Sequence, residues 1–314
     1  MSTKLFYASD LHGAERLWRK FVNAGKFYGV DLLVMGGDVG GKAVMPIEKR
    51  NGGYLAPRIS GDRLVDESEL EALETDIRNM GFYPHRVEHD DLEALHGDPA
   101  AVAELFRHVM IESFERWISL AEERLSGTGI RLCVMLGNDD EPGLADVLAA
   151  SSLVIDAEEQ VVDIGEGFEM VSCGWSNPTP WASPREMPED ELEKHLENLI
   201  LKTADPSRAV FNFHVPPYGT PLDQAPLLDQ SLRPVVKGGT MRMDSVGSKA
   251  IRNVIERYQP PLTLHGHVHE SRGATRIGSS VCINPGSVYS QNALQGVLVE
   301  LRRAKPLRYQ LTSG

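Results

Sequence analysis

The chain has 314 residues, a formal charge of −13, 41% apolar and 25% charged residues. That length allows one large or two small domains with a full core, and the composition excludes wholesale disorder. No run approaches the ~18 apolar residues of a membrane span, and the acidic balance argues against a general nucleic-acid binder, which needs a basic surface to neutralise phosphates.

KLFYAS predicts a first strand, running into the turn Asp10-Leu11-His12-Gly13. A charge at Lys4 and an acid at Asp10 come too soon for a signal peptide, so a cytoplasmic protein is expected. A helix over 14–27 follows, with Leu17, Trp18, Phe21 and Val22 on one side. DLLVMGGD is a second apolar strand ending in an acid, Asp38. From Gly41 to Gly129 the pattern breaks. KAVMPIEKRNGGYLAPRIS reads as a hairpin with its turn at Asn51-Gly52-Gly53. A helix near Ser68 is expected, with Glu71 completing a capping box. A longer one runs from Pro99 to Leu125, with Asp98 as N-cap. FYPHR, holding Tyr83, His85 and Arg86, reads as a structural turn. The whole of 42–129 is taken as a cap inserted into a single domain spanning 1–314.

RLCVMLGND is a third core strand, ending at Asn138. Then come a short helix, the hairpin-like pair VIDAEEQVVDIG and FEMVSCGW, and the loop SNPTPWASPREMP before a helix over 189–202. AVFNFHV is a fourth core strand, ending at His214, and LTLHGHVH a fifth, preceded by the helix SKAIRNVIERY. TRIG, SSVCIN, GVLVEL and LRYQLT close the chain as short strands. Cys133, Cys173 and Cys282 sit in apolar stretches without a CxxC pair, which suits reduced, buried thiols. Continuous apolar strands separated by helices indicate a sheet covered on both faces, with ligands at the strands' C-terminal ends.

Five segments place a metal-ligand side chain just after an apolar strand: Asp10 with His12, Asp38, Asn138, His214, and His267 with His269. Alternation along an extended chain would aim residues i and i+2 at one place. Gly266 would let backbone and ion approach closely. Carboxylates and neutral imidazoles form a mixed O/N set suited to first-row ions. Seven ligands exceed one tetrahedral zinc and suit two ions sharing a carboxylate.

SDLHG, GGDVGG, LGNDDEP, FNFHVPP and HGHVH, in this order, resemble the calcineurin-like metallophosphoesterases. TPW followed by SPRE, HVPPYGT, GHVHES and NPGS resemble a bacterial and archaeal branch of predicted phosphoesterases with a G-N-x-D motif. The resemblance implies an α/β fold, a four-layer α/β/β/α sandwich, which replaces the single open sheet. It implies one ion on Asp10, His12, Asp38 and His269. A second would sit on Asp38, Asn138, His214 and His267. The expected cofactors are two divalent ions (Mn, Fe or Zn), which hold a hydroxide that attacks phosphorus in line. Asn138, Asp139 and Asp140 are the catalytic candidates. Many relatives carry a proton-donating His where this chain has Asp139, so the general acid departs from the pattern. A carboxylate beside two cations stays ionised, which favours substrates with good leaving groups or an acid recruited from the cap. Lys42, Trp181, Tyr218 and His265 are candidate substrate contacts. The expected activity is phosphoester hydrolysis, phosphodiesters ahead of monoesters, on a small phosphorylated substrate, with no membrane or nucleic-acid partner. A homodimer is allowed. The alternatives are a non-catalytic scaffold of the same fold, or a nuclease.

Overall fold

Thr3–Ala8 and Leu32–Gly36 are almost wholly buried because layers cover both of their faces. In the computed structural model, which describes residues 2–56, 61, 63–303 and 307–314, they form the middle of a six-stranded sheet. Its order is Arg308–Ser313, Gln295–Leu301, Thr3–Ala8, Leu32–Gly36, Arg131–Met135, Val154–Asp156. A second six-stranded sheet runs Gly273–Ile277, Ser280–Asn284, Leu262–Leu264, Val210–Phe213, Phe168–Cys173, Val161–Gly165. Their central strands are parallel. Val154–Asp156, expected to belong with the hairpin, pairs instead with Arg131–Met135 in the first sheet.

Three buried clusters show the layers. Leu5, Tyr7, Val34 and Cys133 meet Met170, Val210, Leu264 and Ile283 between the sheets. Trp18, Phe21, Phe114 and Leu148 cover the outer face of the first sheet. Leu192, Leu196, Ile251 and Ile255 cover that of the second. This is the α/β/β/α sandwich. The register levels the strand ends: Ala8 stands beside Met35 and Met35 beside Val134. Asn212 likewise stands beside Leu264. Asp10, Asp38 and Asn138 therefore leave one sheet at the edge where His214, His267 and His269 leave the other.

The cap is more than a hairpin. Ala43–Arg50 pairs antiparallel with Gly53–Leu55 and parallel with Phe82–Val87. FYPHR is thus a strand, not a turn. Pro84 is tolerated because this strand has a neighbour on one side only. The parallel return is carried by helix Leu70–Asn79, and Met45, Ile47, Leu73 and Ile77 form a small core of their own. Its N-terminus lacks the expected capping box. The Asp66 carboxylate instead accepts from the Ser68 amide and hydroxyl and from Glu69 N. Residues 57–60 of the expected hairpin lie outside the described residues. A further helix, His89–His96, precedes Pro99–Leu125. Asp98 caps the latter as expected, accepting from Ala100 N and Ala101 N. Its C-terminal half packs into the main core, where Trp117 stacks on Trp18 at 5.3 Å. That half belongs to the outer helical layer rather than to the cap. Among the described residues no helix is long and apolar enough to cross a membrane.

Candidate metal centre

The ligand-type side chains converge through left-handed turns, not through strand alternation. Leu262–Leu264 stops before His265, and φ is +59° at Asp10, +44° at His12, +52° at Asp38 and +64° at His267. Each such non-glycine residue costs about 1–3 kcal/mol and persists only where its surroundings over-determine it. Backbone bonds supply that constraint. Asp10 N and His12 N donate to Gly37 O and Asp38 O, both at 3.0 Å. The turns touch because glycine leaves room. A Cβ at Gly137 would collide with the Asp38 carboxylate, and one at Gly266 with Asp10 and Ser9.

Asp10, His12 and His269 form one group whose ligand atoms lie within 4.8 Å of one another; Asp38, His214 and His267 form a second. Asp38 Oδ2 stands 3.8 Å from His12 Nε2 and 3.4 Å from His214 Nε2, between the two. Its Oδ1 accepts from Asp139 N at 3.1 Å. Asn138 Oδ1 lies 2.8 Å from His267 Nδ1, which adds it to the second group.

The donor set fits cations. His214 Nδ1 donates to Gly36 O at 2.7 Å, which aims Nε2 into the site, where this buried atom has no hydrogen-bond partner. His12 and His269 turn their Nε2 atoms toward each other at 2.9 Å. Burial alone would lower the His214 pKa, but the Asp38 and Asp10 carboxylates outweigh it and push it up to about 10. Without an ion, a proton therefore sits where positive charge is wanted. Burial lowers His12 to about 3 and, with the His214 charge, His267 to about 4, so both are neutral and ready to ligate.

Asp139 and Asp140, adjacent in sequence, part company. Asp140 is fully buried and accepts from Gly137 N at 2.7 Å, Gly40 N at 2.7 Å and Val39 N at 3.2 Å. Burial and the Asp38 charge push its pKa up to about 6. It ties the GND turn to the GDVGG turn and is a positioning residue. Asp139 is exposed and accepts from Lys42 Nζ at 2.5 Å. It also groups with His12 and Asp38 as a further ligand candidate. Lys42 enters from the cap's first residues, anchored by its amide to Gly81 O at 3.2 Å. Burial opposes its charge, but Asp139 and Asp38 prevail and hold its pKa above the ordinary value.

The four proposed substrate contacts divide. Lys42 stands at the rim of the centre. Trp181 is 64% exposed, two residues from Ser183, which touches Asn138. Tyr218 lies under the Lys249 ammonium at 5.2 Å, with no described contact to a ligand-type side chain. His265 cannot meet substrate, because it is wholly buried. Its Nδ1 lies 2.8 Å from Phe213 O and 3.0 Å from Val215 O, and its Nε2 lies 2.7 Å from Thr263 Oγ1. Carbonyls only accept, so Nδ1 carries the proton. The ring clamps the backbone on both sides of His214.

Several supporting residues carry no signal at the level of strand ends. Asn138 Nδ2 donates to Ser183 Oγ at 2.6 Å, and the Ser183 hydroxyl donates to Glu186. Glu186 also accepts from Thr179 N and Ser183 N. The loop written SNPTPWASPREMP thus fixes which way the Asn138 amide faces. Buried Arg185 donates to Leu136 O and Gly137 O and pairs with Glu158, bracing the same turn from behind. Asn284 donates to Val268 O and Gly266 O, Ser287 Oγ to Asp10 O, and Tyr289 leans on His12 with ring centres 4.9 Å apart. The visible hint was the density of Ser, Thr, Asn and Glu in SNPTPWASPRE and NPGS.

No family model matches the chain. The uncharacterized protein MJ1162 of Methanocaldococcus jannaschii is 32% identical over 203 residues, covering 61% of this chain and 84% of that protein. TT1561 of Thermus thermophilus has a solved structure with a TM-score of 0.51 at 14% identity, covering 100% of this chain and 99% of its own. Another solved structure has a TM-score of 0.57 at 16% identity, with 99% of both chains covered. These likenesses show the fold. The chain belongs to the family of the M. jannaschii protein.

Proposed function

We propose that the chain is a metal-dependent phosphoester hydrolase holding two divalent first-row ions bridged by Asp38. The observation that carries this is Asp38 Oδ2, placed between His12 Nε2 and His214 Nε2 with no lysine or arginine in contact with it among the described residues. Buried carboxylates without such partners are costly unless cations compensate them. Asp10, His12, Asp38 and His269 would hold one ion; Asp38, Asn138, His214 and His267 the other. Such ions supply Lewis acidity to phosphoryl oxygens and lower the pKa of a bound water.

The chain's own groups then divide the work. The Lys42 ammonium, held by Asp139 at the rim, would bind a phosphoryl oxygen. The Asn138 amide keeps Oδ1 toward His267 because Ser183 holds Nδ2. Asp139 accepts from Lys42 and is not poised to donate a proton. Phosphodiesters with good leaving groups, aryl oxides above all, are therefore the favoured substrates. The test strips the purified chain and reloads it with Mn, Fe or Zn, then measures aryl and alkyl diesters and monoesters. Two ions per chain and fastest turnover of the aryl diester are expected. A chain that binds no ion, or binds two and hydrolyses none of the four, overturns the reading.

A further inference from the structure

Between the His214 loop and helix Lys249–Tyr258 the chain leaves the sandwich as a ribbon. Gln224–Pro226 pairs only with Met243–Ser245, and Val236–Lys237 only with Thr240–Met241. Neither joins a main sheet. Leu227, Leu232, Val236, Met241, Met243 and Val246 are all exposed on it. Two-stranded ribbons are marginal alone and need an apolar face to pack on, and so large an apolar set on one arm marks an interaction surface.

Charge says what the arm meets. From 230 to 243 the sequence has Arg233, Lys237 and Arg242 and no acid, in a chain of net charge −13. None of the three has an ion-pair partner among the described residues. The cap carries the complementary charge: a cleft of about 650 Å³ whose lining includes the apolar Val87, Leu95 and Leu105 and the acids Asp91 and Asp98. Its cations are already taken, Lys49 by Glu88 and Arg86 by Glu74.

We propose that this ribbon docks on a second copy of the chain, its Val236–Met241 tip seated in the partner's cap cleft. Reciprocal exchange closes the pair as a two-fold dimer, whereas one-way docking would run on into filaments. Apolar side chains enter the cleft, and Lys237 and Arg242 meet its acids. The arm's root is tied to the metal centre, since Gln224 and Ser271 exchange hydrogen bonds of 2.9 and 2.7 Å two residues after His269.

Sedimentation of the full chain tests this, with circular dichroism and Tm as folding controls. The parent is expected at twice the mass of one chain. The double variant Val236→Asp, Met241→Asp should sediment as a monomer with unchanged Tm. Asp91→Lys should weaken association ~10-fold or more, and combining it with Lys237→Asp should recover it. A monomeric parent overturns the proposal, as does a dimer that survives the arm variant or is indifferent to Asp91→Lys. So does a monomer that instead floats with anionic phospholipid vesicles.

Discussion

Asp10, Asp38 and His214 are sealed at the floor of the site, each at most 3% exposed. At the rim, Lys42 and Asp139 meet with more than a third of each side chain in solvent. The floor is over-determined: left-handed backbone at Asp10, His12, Asp38 and His267, close glycine contacts at Asp10 and Asp38, and backbone bonds at Asp10, His12 and His214 fix it. The rim's two side chains, by contrast, are held to each other by an ion pair between the cap and the GND turn. Exposed pairs of that kind contribute about 0–1 kcal/mol, so they are easily rearranged. The difference separates two jobs. On the proposed function, the floor would hold charge in one geometry, and the rim would yield its lysine to an incoming anion.

Breaking the floor should have the largest effect. Asp38→Ala removes the oxygen between the two imidazoles and leaves His214 without the carboxylate that charges it. Loss of both ions, measured as metal content after dialysis, and loss of diester hydrolysis are expected. An Asp38→Ala chain that keeps two ions would show that Asp38 does not join the two groups. One step outward, Ser183→Ala frees the Asn138 amide to rotate. Ion affinity at the second group should fall ~10–100-fold, the usual cost of an outer-shell partner, with the first group's affinity unchanged. Equal loss at both would mean that the loop supports the fold rather than Asn138.

Floor and rim also differ in how far they can be read from sequence. Asp10, Asp38, Asn138 and His214 each follow an apolar strand within two or three residues, so strand ends alone locate them. The way they converge is not legible that way. Alternation put His265 beside His267, but the strand stops at Leu264 and the turn at His267 sends His265 into the core. Asp139 and Asp140 look interchangeable in GNDD, and only the approach of Gly40 and Val39 from another turn decides which is buried. Ser183, oriented by Glu186, acts on a residue 45 positions away, which no local pattern encodes. FYPHR failed as a turn because its partner strand lies some 40 residues earlier and Pro84 disguises the edge position.

Smaller effects are expected at the rim. Lys42→Ala should raise KM for phosphate esters while both ions stay bound, since Lys42 is no ligand. Asp139→Asn keeps a group that can still meet Lys42 but removes the charge. It should change the rate less than ~10-fold, well below the ~10²–10⁴ of a lost general acid. A fall of the larger size confined to alkyl leaving groups would make Asp139 the acid and reverse the assignment. Lost ion binding in either variant would erase the boundary between floor and rim.

The smallest effect concerns stability rather than turnover, at the clamp beneath His214. Burial lowers the His265 pKa to about 4, while the carbonyls of Phe213 and Val215 oppose the shift. The unfolded chain takes up its proton near ~6.5, so the unfolded state binds more protons between those values. The stability tied to this neutral ring is present above ~6.5 and is lost as pH falls toward 4. His265→Asn keeps an amide that can donate to the two carbonyls but cannot titrate. Thermal unfolding of the ion-free chain at several values between pH 7.5 and 4.5 should show a shallower loss of Tm for the variant than for the parent. Parallel curves would mean that His265 is already solvated in the folded chain, and that the backbone flanking His214 is looser than the rest of the floor.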